Sequence, residues 1–425
     1  MEKIFLQIGA TRDGQNPYCE VARRYGYFTV LVETGEFVDY QSQCMSLPFD
    51  MVLRIDHPEN PVEVLQTWLY TGRQATPQVV LAGFEAYNQS AGRIRGMLNN
   101  SPENRVFIPL DKYAQRMTLK KSGCTFSQPD FHFFSSVHGI KNARDCINYP
   151  CVIKPIDGGG GLGIWLVKTP ATLDDAVNKL AITMNYGGRP FSGFIVEDYL
   201  QGEEYSLQGV VFNGEPWVLT CCQKVIETAE NSNGNISFYE SGHVASPAHN
   251  LPEPFRRLMH QCCENFGYQQ GAFHIDFIMV KDTPYFLEMG FRLSGMGVVS
   301  LVKEVTGLNW AEIAFNIEQE KPCENISHSR HSFSAGQLRL RQAAHLSAAE
   351  LWVNQNRHGH IVPPVKFPQP DISSESPLYA DLTRHAGILG ILHLTADDPK
   401  EILSVFQDIT SENQAQASKG SQCAE

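Results

Sequence analysis

Apolar residues in the first hundred positions form short runs that alternate with longer amphipathic stretches. Short runs rich in branched and aromatic side chains are typical of strands. The strand-like runs are Ile4 to Ile8, Phe28 to Val32, Met51 to Ile55 and Val79 to Ala82. The stretches between them are compatible with helices, and Pro17 and Pro61 suit first helical turns. This alternation predicts a βαβ domain.

In such a domain, ligands gather at the carboxyl ends of the strands. Residues 9–14 and 83–85 are therefore candidate edges of a pocket. The stretch from Gly9 to Gly14 does not contain GxGxxG, so it favours an ordinary strand-to-helix loop and gives no evidence for NAD.

The rest of the chain is less regular. A helix carrying Lys112, Arg116 and Leu119 is expected to lead into Gly123, followed by a compact strand-rich stretch as far as about Tyr199. A larger mixed region follows. Beyond residue 410, small and polar residues dominate, which predicts a disordered tail.

Composition narrows the class of protein. With 425 residues, of which 42% are hydrophobic, the chain can bury a large core in two or three domains. A net charge of −12 opposes a broad nucleic-acid-binding face and favours small-molecule chemistry. The eleven cysteines show no CxxC spacing, and no segment approaches ~20 apolar residues. We therefore expect a cytoplasmic protein that binds neither nucleic acid nor membrane.

The first chemically informative segment, residues 151–168, has the sequence CVIKPIDGGGGLGIWLVK. It predicts a strand, a glycine flap and a second strand. Glycines allow backbone N–H groups to approach phosphate oxygens, and Lys154 could add a positive charge. A mobile hairpin without a ligand is the alternative, because the Walker GKS or GKT ending is absent.

The second segment, residues 194–206, has the sequence FIVEDYLQGEEYS. It predicts a strand, a turn and another strand, as in an interdomain hinge. Its carboxylates and carbonyls could accept hydrogen bonds from an adenine amino group and from ribose hydroxyls. Acidic turns are also common on solvated surfaces, so this alternative stays open.

The third segment, residues 271–297, alternates in a way that predicts a β-hairpin with its turn near Asp282. Asp276 lies six positions before that turn and Glu288 six after it, so both carboxylates should lie opposite each other on one face. Like charges about 5 Å apart are unfavourable unless a cation lies between them. Hard oxygen ligands suit Mg²⁺, and a surface pair is the alternative.

Two further side chains belong to this segment. Arg292 follows Glu288 by four residues and could reach an anionic centre, or could form an ion pair with Glu288 instead. His274 shares the predicted face of Asp276 and is either a substrate contact or part of the pocket wall.

The order of these segments, preceded by Asp111, Lys112, Tyr113 and Arg116, resembles the ATP-grasp superfamily over about residues 105 to 310. The resemblance implies the following roles. Nucleotide binding falls to Lys112, Lys154, Gly159, Gly160, Gly161, Glu197, Asp198, Tyr199, Leu200 and Glu204. Metal binding falls to Asp276 and Glu288, catalysis to Arg292, and substrate contacts to His274, Ser294 and Gly295.

One position departs from the family pattern. Many members have Asn two residues after the second acidic ligand, where this chain has Gly290. The Glu288-x-x-x-Arg292 and His274-x-Asp276 pattern is similar to that of bacterial L-amino-acid ligases of the bacilysin-synthetase type, some of which also lack the asparagine.

The resemblance implies an α/β, mixed α+β, ATP-grasp fold. Its expected parts are a Rossmann-like domain at 1–105, a linker helix with a small lid domain at 106–200, a C-terminal ATP-grasp domain at 201–410 and the tail at 411–425. The implied activity is an ADP-forming ligation of a carboxylate to an amine, using ATP and Mg²⁺ or Mn²⁺. The resemblance favours amino-acid substrates in specialised, antibiotic-type metabolism, and a homodimer is the candidate assembly.

Two alternatives remain. One is a ligase of primary metabolism, either a nucleotide-pathway amine ligase or a biotin-dependent carboxylase component, although the chain contains no biotin-carrier segment. The other is a nucleotide-binding regulator that has lost turnover, for which Gly290 is the sequence hint.

Overall fold

The computed structural model describes residues 2–99, 110–185, 189–248, 251–321, 331–364 and 387–420. The strands are β1 (Ile4–Ile8), β2 (Phe28–Glu33), β3 (Met51–Arg54), β4 (Val79–Ala82), β5 (Phe131–Phe134), β6 (Cys151–Pro155), β7 (Trp165–Val167), β8 (Phe194–Asp198), β9 (Glu203–Phe212), β10 (Glu215–Glu230), β11 (Ile236–Pro247), β12 (Gly271–Val280), β13 (Thr283–Gly290), β14 (Ser334–Leu340), β15 (Gly359–Val362) and β16 (Gly390–Ala396). The helices are α1 (Pro17–Arg24), α2 (Gly35–Cys44), α3 (Pro61–Tyr70), α4 (Asn88–Asn99), α5 (Lys112–Ser122), α6 (Val137–Asn142), α7 (Leu173–Ile182), α8 (Glu253–Asn265), α9 (Val298–Thr306), α10 (Trp310–Glu318), α11 (Ala343–Gln355) and α12 (Pro399–Gly420).

The N-terminal part contains a parallel four-stranded sheet in the order β3-β2-β1-β4. The predicted strands are confirmed, with bounds that agree to within one residue. Pro17 and Pro61 are the first residues of α1 and α3, and Gly26 follows α1 with a φ of +73°. Every residue of β1 and β4 is buried, because helices cover this sheet as βαβ connections require.

A second sheet of twelve strands, mostly antiparallel in its pairings, forms the rest of the architecture. Its main path runs β13-β12-β9-β10-β11-β7-β6-β8-β5. Off this path, β14 pairs with β11 and β16, and β16 pairs with β15. The strands β6 and β7 are the two that flank the predicted glycine flap, and they pair antiparallel as predicted. The flap therefore lies at one end of a hairpin that belongs to the large sheet.

The strand β7 also joins this hairpin to the rest of the sheet. It pairs antiparallel with β11 through Leu166 opposite Ile236 and Trp165 opposite Ser237. By contrast, β10 and β11 pair from Thr220 opposite Pro247 to Glu230 opposite Ile236. The connection between the glycine hairpin and the long strands is therefore a short ladder.

The helix α5 places two positive side chains against the large sheet. Its N-cap Asp111 accepts a hydrogen bond from the N–H of Ala114, and Gly123 ends it in the left-handed conformation that glycine favours. Lys112 and Arg116 are both buried, one turn apart on the same face. The helix thus directs two cations into the protein rather than into solvent.

The two sheets meet through aromatic packing around Phe315 of α10. Its ring lies 5.3 Å from that of Phe5 and 5.4 Å from that of Tyr27, both in edge-to-face geometry. The hydroxyl of Tyr25 donates a hydrogen bond of 2.5 Å to Glu312. Edge-to-face pairs contribute about 0.5–1.5 kcal/mol beyond their buried area. This contact fixes the N-terminal sheet against the C-terminal part of the chain.

The last helix, α12, continues to Gly420. It crosses the start of 411–425, where the sequence predicted a disordered tail, because Glu, Gln, Ala and Lys are compatible with helix. Residues 421–425 lie outside the described residues, as do residues 100–109, which contain the predicted domain boundary at 105. Within the described ranges, no helix combines the length and the apolar character needed to cross a bilayer.

Candidate active site

The β12–β13 hairpin brings the two candidate metal ligands together. Asp276 pairs with Glu288 across the hairpin, and the turn contains Lys281 and Asp282. The predicted pairing is therefore confirmed, and a β-bulge between Asp276 and Phe277 lies next to it. Asp276 is buried and accepts a hydrogen bond of 2.6 Å from the hydroxyl of Ser206.

A lysine that the sequence analysis did not select lies between the carboxylates of this region. The Nζ atom of Lys224, on β10, lies 2.5 Å from Asp276, 2.8 Å from Glu204 and 3.4 Å from Glu240. Burial alone lowers the pKa of Lys224, but the three carboxylates outweigh it and raise the pKa well above its usual value. Lys224 therefore stays charged and compensates the acidic cluster.

Glu288 contacts a different lysine. The Nζ atom of Lys112 lies 2.6 Å from Glu288 and donates a hydrogen bond of 2.6 Å to the carbonyl of Gly158. Burial raises the pKa of Glu288, but Lys112 outweighs that effect and lowers the pKa to about 2. Lys112 thus connects the candidate metal ligand to the beginning of the glycine loop.

A third cluster lies deeper, around Glu197 at the end of β8. Its carboxylate forms ion pairs with Lys154 and with Arg116, the latter at 3.1 Å. Burial lowers the pKa of both cations, and Glu197 partly restores it. The Nε of Arg116 also donates to the carbonyl of Leu287 at 3.1 Å. Arg116 is fully buried and so acts as a structural partner of the candidate hinge residue Glu197.

The glycine loop between β6 and β7 has a backbone that other residues rarely adopt. Gly160, Gly161 and Gly163 have φ values of +57°, +84° and +73°. A Cβ on Gly158 would lie 2.9 Å from the ring of Pro155. Side chains are thus unfavourable along this loop, which leaves its backbone accessible as a phosphate-binding loop requires.

Arg292 follows β13 and has a partner that the sequence did not predict. Its Nε atom lies 2.7 Å from Glu85, in the segment after β4, and its Nη1 atom donates to the carbonyl of Leu293 at 2.6 Å. The alternative ion pair with Glu288 is not the one observed. The carboxyl end of the parallel sheet therefore contributes to this site, at one of the pocket edges expected from the strand pattern.

One cleft of about 1090 Å³ brings these clusters together, with Arg116 buried behind its wall. Its lining includes every candidate site residue from the sequence: Lys112, Lys154, Gly159, Gly160, Gly161, Glu197, Asp198, Tyr199, Leu200, Glu204, His274, Asp276, Glu288, Arg292, Ser294 and Gly295. Glu240 and His243 also line it. Burial lowers the pKa of His243, whose Nε2 atom lies 3.0 Å from Glu240.

The donor set of the cleft fits a hard cation bound together with an anion. Asp276 and Glu288 offer carboxylate oxygens, and both are already paired with cations, Lys224 and Lys112. Among the described residues, no group of three or more His, Cys, Asp or Glu side chains is arranged to hold a metal by itself. Two carboxylates suit Mg²⁺, which usually takes one or two protein carboxylates and completes its shell with phosphates and water.

The comparisons with known proteins agree with this arrangement. Residues 110–296 match the ATP-grasp domain family. Dapdiamide A synthase from Enterobacter agglomerans is 22% identical over 160 residues, a match that covers 38% of this chain and 37% of that protein. The chain therefore spans little more than a third of the length of this curated relative.

Two solved structures share the fold over nearly the whole chain. The L-amino acid ligase from Bacillus licheniformis superimposes with a TM-score of 0.67 at 19% identity, covering 97% of this chain and 98% of that one. The N5-carboxyaminoimidazole ribonucleotide synthetase, solved as an ADP complex, gives 0.65 at 12% identity, covering 97% of each. At these identities the similarity concerns the fold alone, and it confirms the predicted α/β ATP-grasp fold.

Proposed function

We propose that the protein is an ATP- and Mg²⁺-dependent ligase that joins a carboxylate to an amine, as the match of residues 110–296 to the ATP-grasp domain family supports. The products are an amide, ADP and phosphate, and the route is an acyl phosphate. The observation that carries this proposal is the pairing of Asp276 with Glu288 in a cleft that also contains three lysines and Arg292.

The lysines supply the positive charge that binding of a nucleoside triphosphate requires. Lys112, Lys154 and Lys224 all line the cleft, and each is paired with a carboxylate. We propose that phosphate oxygens take over part of these contacts when ATP binds. The hinge residues 197–200 then accept from the adenine amino group, and Glu204 accepts from the ribose hydroxyls.

Asp276 and Glu288 would hold Mg²⁺ against the phosphates. When bound, Mg²⁺ neutralises charge as the γ-phosphoryl group moves to the substrate carboxylate. The protein orients the carboxylate for this step and excludes water, which would hydrolyse the acyl phosphate. The glycine loop, held to Lys112 through the carbonyl of Gly158, is the segment we assign to this closure.

Arg292 acts in the second half-reaction. An unprotonated amine attacks the acyl carbon, and negative charge develops on the carbonyl oxygen. The guanidinium of Arg292 stabilises this oxyanion before phosphate leaves. Its ion pair with Glu85 holds the side chain at the edge of the cleft where the strands of the parallel sheet end.

Amino acids or amino-acid-like molecules are the substrates we propose, in specialised, antibiotic-type metabolism. Two similarities support this class: the sequence match to dapdiamide A synthase and the shared fold of an L-amino acid ligase. The cleft also carries charges of both signs, including Arg12, Glu240 and Arg292, which suit zwitterions.

The test is phosphate release from ATP and Mg²⁺ across pairwise mixtures of amino acids. Mass spectrometry should detect a product lighter than the pair by one water. Glu288→Gln serves as the control, because it keeps the shape of the side chain but removes a charge from the proposed metal site. Release of phosphate without a condensed product, or identical release by the variant, would refute the ligase.

The same assay separates the alternatives. Turnover that depends on bicarbonate instead of an amino acid would assign the chain to a carboxylase component. Tight ATP binding with no ADP formation in any mixture would favour a non-catalytic regulator. A biotin carboxylase domain from Hydrogenobacter thermophilus that was solved with bicarbonate shares the fold, so bicarbonate belongs in the substrate panel.

A further inference from the structure

Next to the Asp276–Glu288 pair, the same hairpin contains a second cross-strand pair. His274 lies opposite Gly290, two residues from each carboxylate. Because side chains alternate along strands, His274 and Asp276 share a face, and a side chain at position 290 would share it with Glu288. Positions 274, 276, 288 and 290 therefore form one patch of the cleft, and all but Gly290 carry a side chain.

The imidazole of His274 fills the space above Gly290. A Cβ added to Gly290 would lie 2.1 Å from Cε1, 2.4 Å from Nε2 and 2.8 Å from Nδ1 of His274. Gly290 is not among the glycines with positive φ, so its backbone conformation does not require glycine. What requires glycine here is the position of the histidine ring.

The ring also has a defined orientation. Its Nδ1 atom lies 3.3 Å from the carbonyl oxygen of Arg292. A carbonyl oxygen can only accept, so Nδ1 carries the proton and Nε2 carries the lone pair in the neutral ring. The contact joins the β12 strand to the backbone of the residue that we assign to oxyanion stabilisation.

Other contacts hold the same segment from the opposite side. Glu85 pairs with the side chain of Arg292 and accepts from the N–H of Phe291 at 3.4 Å. Arg292 also donates to the carbonyl of its neighbour Leu293. His274 and Glu85 thus act on the backbone and on the side chain of one arginine.

We propose that His274 is a positioning residue for Arg292, and that Gly290 is glycine because the imidazole occupies the space of its side chain. This inference rests on the proposed ligase function. It also accounts for the departure from the family pattern, since the space of the common asparagine is filled from the opposite strand. At that place in the cleft, the imidazole of His274 holds the backbone carbonyl of Arg292.

Variants of His274 can separate positioning from packing. The amide nitrogen of Asn occupies the place of Nδ1, whereas that of Gln occupies the place of Nε2. We expect His274→Asn to keep kcat within about threefold of the wild type. His274→Gln and His274→Ala should lower kcat by roughly 10- to 100-fold with an unchanged KM for ATP, because displacement of a catalytic group acts on the chemical step.

A double-mutant cycle tests the role of the glycine. Gly290→Ala should lower kcat as His274→Ala does, because the new Cβ displaces the ring. In the double variant, the two losses should not add, because the ring is already absent. Gly139→Ala is the matched control: its Cβ would meet Phe134 at an ordinary 3.4 Å, in the helix α6.

A measurement without turnover completes the test. Long-range ¹⁵N–¹H correlation spectra of histidine-labelled protein at alkaline pH identify the tautomer of each ring, and the spectrum of His274→Asn assigns His274. The Nδ1–H tautomer is expected, and an Nε2–H tautomer would overturn the inference. So would equal kcat values for the Asn and Gln variants, or additive losses in the cycle. If the wild type forms no amide while the tautomer is Nδ1–H, the proposed ligase fails and the orientation of the ring stands.

Discussion

Removal of the positive charge of Lys224 should destabilise the protein in a way that depends on pH. Lys224→Met keeps the length of the side chain but leaves Asp276, Glu204 and Glu240 without their shared cation. Loss of one partner of a buried ion pair costs about 3–5 kcal/mol. The side chains of Glu204 and Glu240 are 25% and 21% exposed, so water screens part of the repulsion, and we expect about 2–4 kcal/mol.

This loss of unfolding free energy should lower the thermal unfolding midpoint by a measurable amount. At about 2.1 cal/mol/K per residue, cooperative unfolding of 425 residues has an entropy of roughly 0.9 kcal/mol/K. A loss of 2–4 kcal/mol then lowers the midpoint by about 2–4 °C at neutral pH. Burial raises the pKa of Glu204 in the folded state, and loss of Lys224 removes the cation that opposes this rise. The deficit should therefore be smallest at low pH and grow as the pH rises through the range in which carboxylates ionise.

Differential scanning fluorimetry between pH 4 and pH 8 measures this dependence. Lys168→Met is the matched control, because Lys168 forms an exposed pair with Glu230 at 3.1 Å and its loss should cost less than about 1 kcal/mol. The reasoning would be refuted if the two variants had equal midpoints at pH 8, or if the deficit of Lys224→Met did not change with pH. Mg²⁺ should restore part of the midpoint of Lys224→Met, since a bound cation replaces the missing charge.

Three further predictions concern catalysis, acid stability and packing. Arg292→Ala should abolish amide formation while leaving the affinity for ATP, measured by calorimetry, within about threefold; near-normal turnover would exclude Arg292 from oxyanion stabilisation. Glu288 has a pKa of about 2 beside Lys112 instead of the usual 4.5, so its stabilising effect is fully present above pH 4.5 and is lost as the pH falls through 2. The thermal unfolding midpoints of wild type and Glu288→Gln should accordingly differ at neutral pH and converge near pH 2. A difference that stays constant with pH would contradict the ion pair with Lys112 as the source of this stability. Gly209→Ala should lower the free energy of unfolding by about 3 kcal/mol in chemical denaturation, because its Cβ would lie 2.4 Å from the carbonyl of Trp217; a loss no larger than that of the glycine-to-alanine control in α6 would show that the strands separate without strain.

The sequence was most informative where local pattern decides the structure. The strands of the N-terminal sheet follow from runs of apolar residues, and the end of α5 follows from Gly123. The sequence places Asp276 and Glu288 at equal distances from Asp282. The turn is centred between Lys281 and Asp282, so the structure reaches this pairing through a β-bulge between Asp276 and Phe277. The side chains selected from these motifs therefore line the same cleft.

The sequence was less informative about partners that come from distant strands. Lys224 lies 52 positions from Asp276, and its strand carries no motif, so only the sheet order brings the two together. The sequence offers one indication of this role: Lys224 lies in the middle of a long strand that also contains buried residues. In the same way, Glu85 reaches Arg292 because the parallel sheet meets the hairpin, and no spacing along the chain predicts that contact.

The short ladder between β7 and β11 affects how easily this side of the cleft opens locally. Few backbone hydrogen bonds cross it, so local opening there requires less free energy than separation of β10 from β11. Successive N–H groups along a strand point to opposite neighbours, so one of Trp165 and Leu166 directs its amide at β11. That amide should exchange with deuterium well before the amides of Cys222 and Val244 in the long strands. All strands of the large sheet are joined by pairing, but we expect their amides to differ in protection against hydrogen exchange. The glycine loop adjoins the less protected strands.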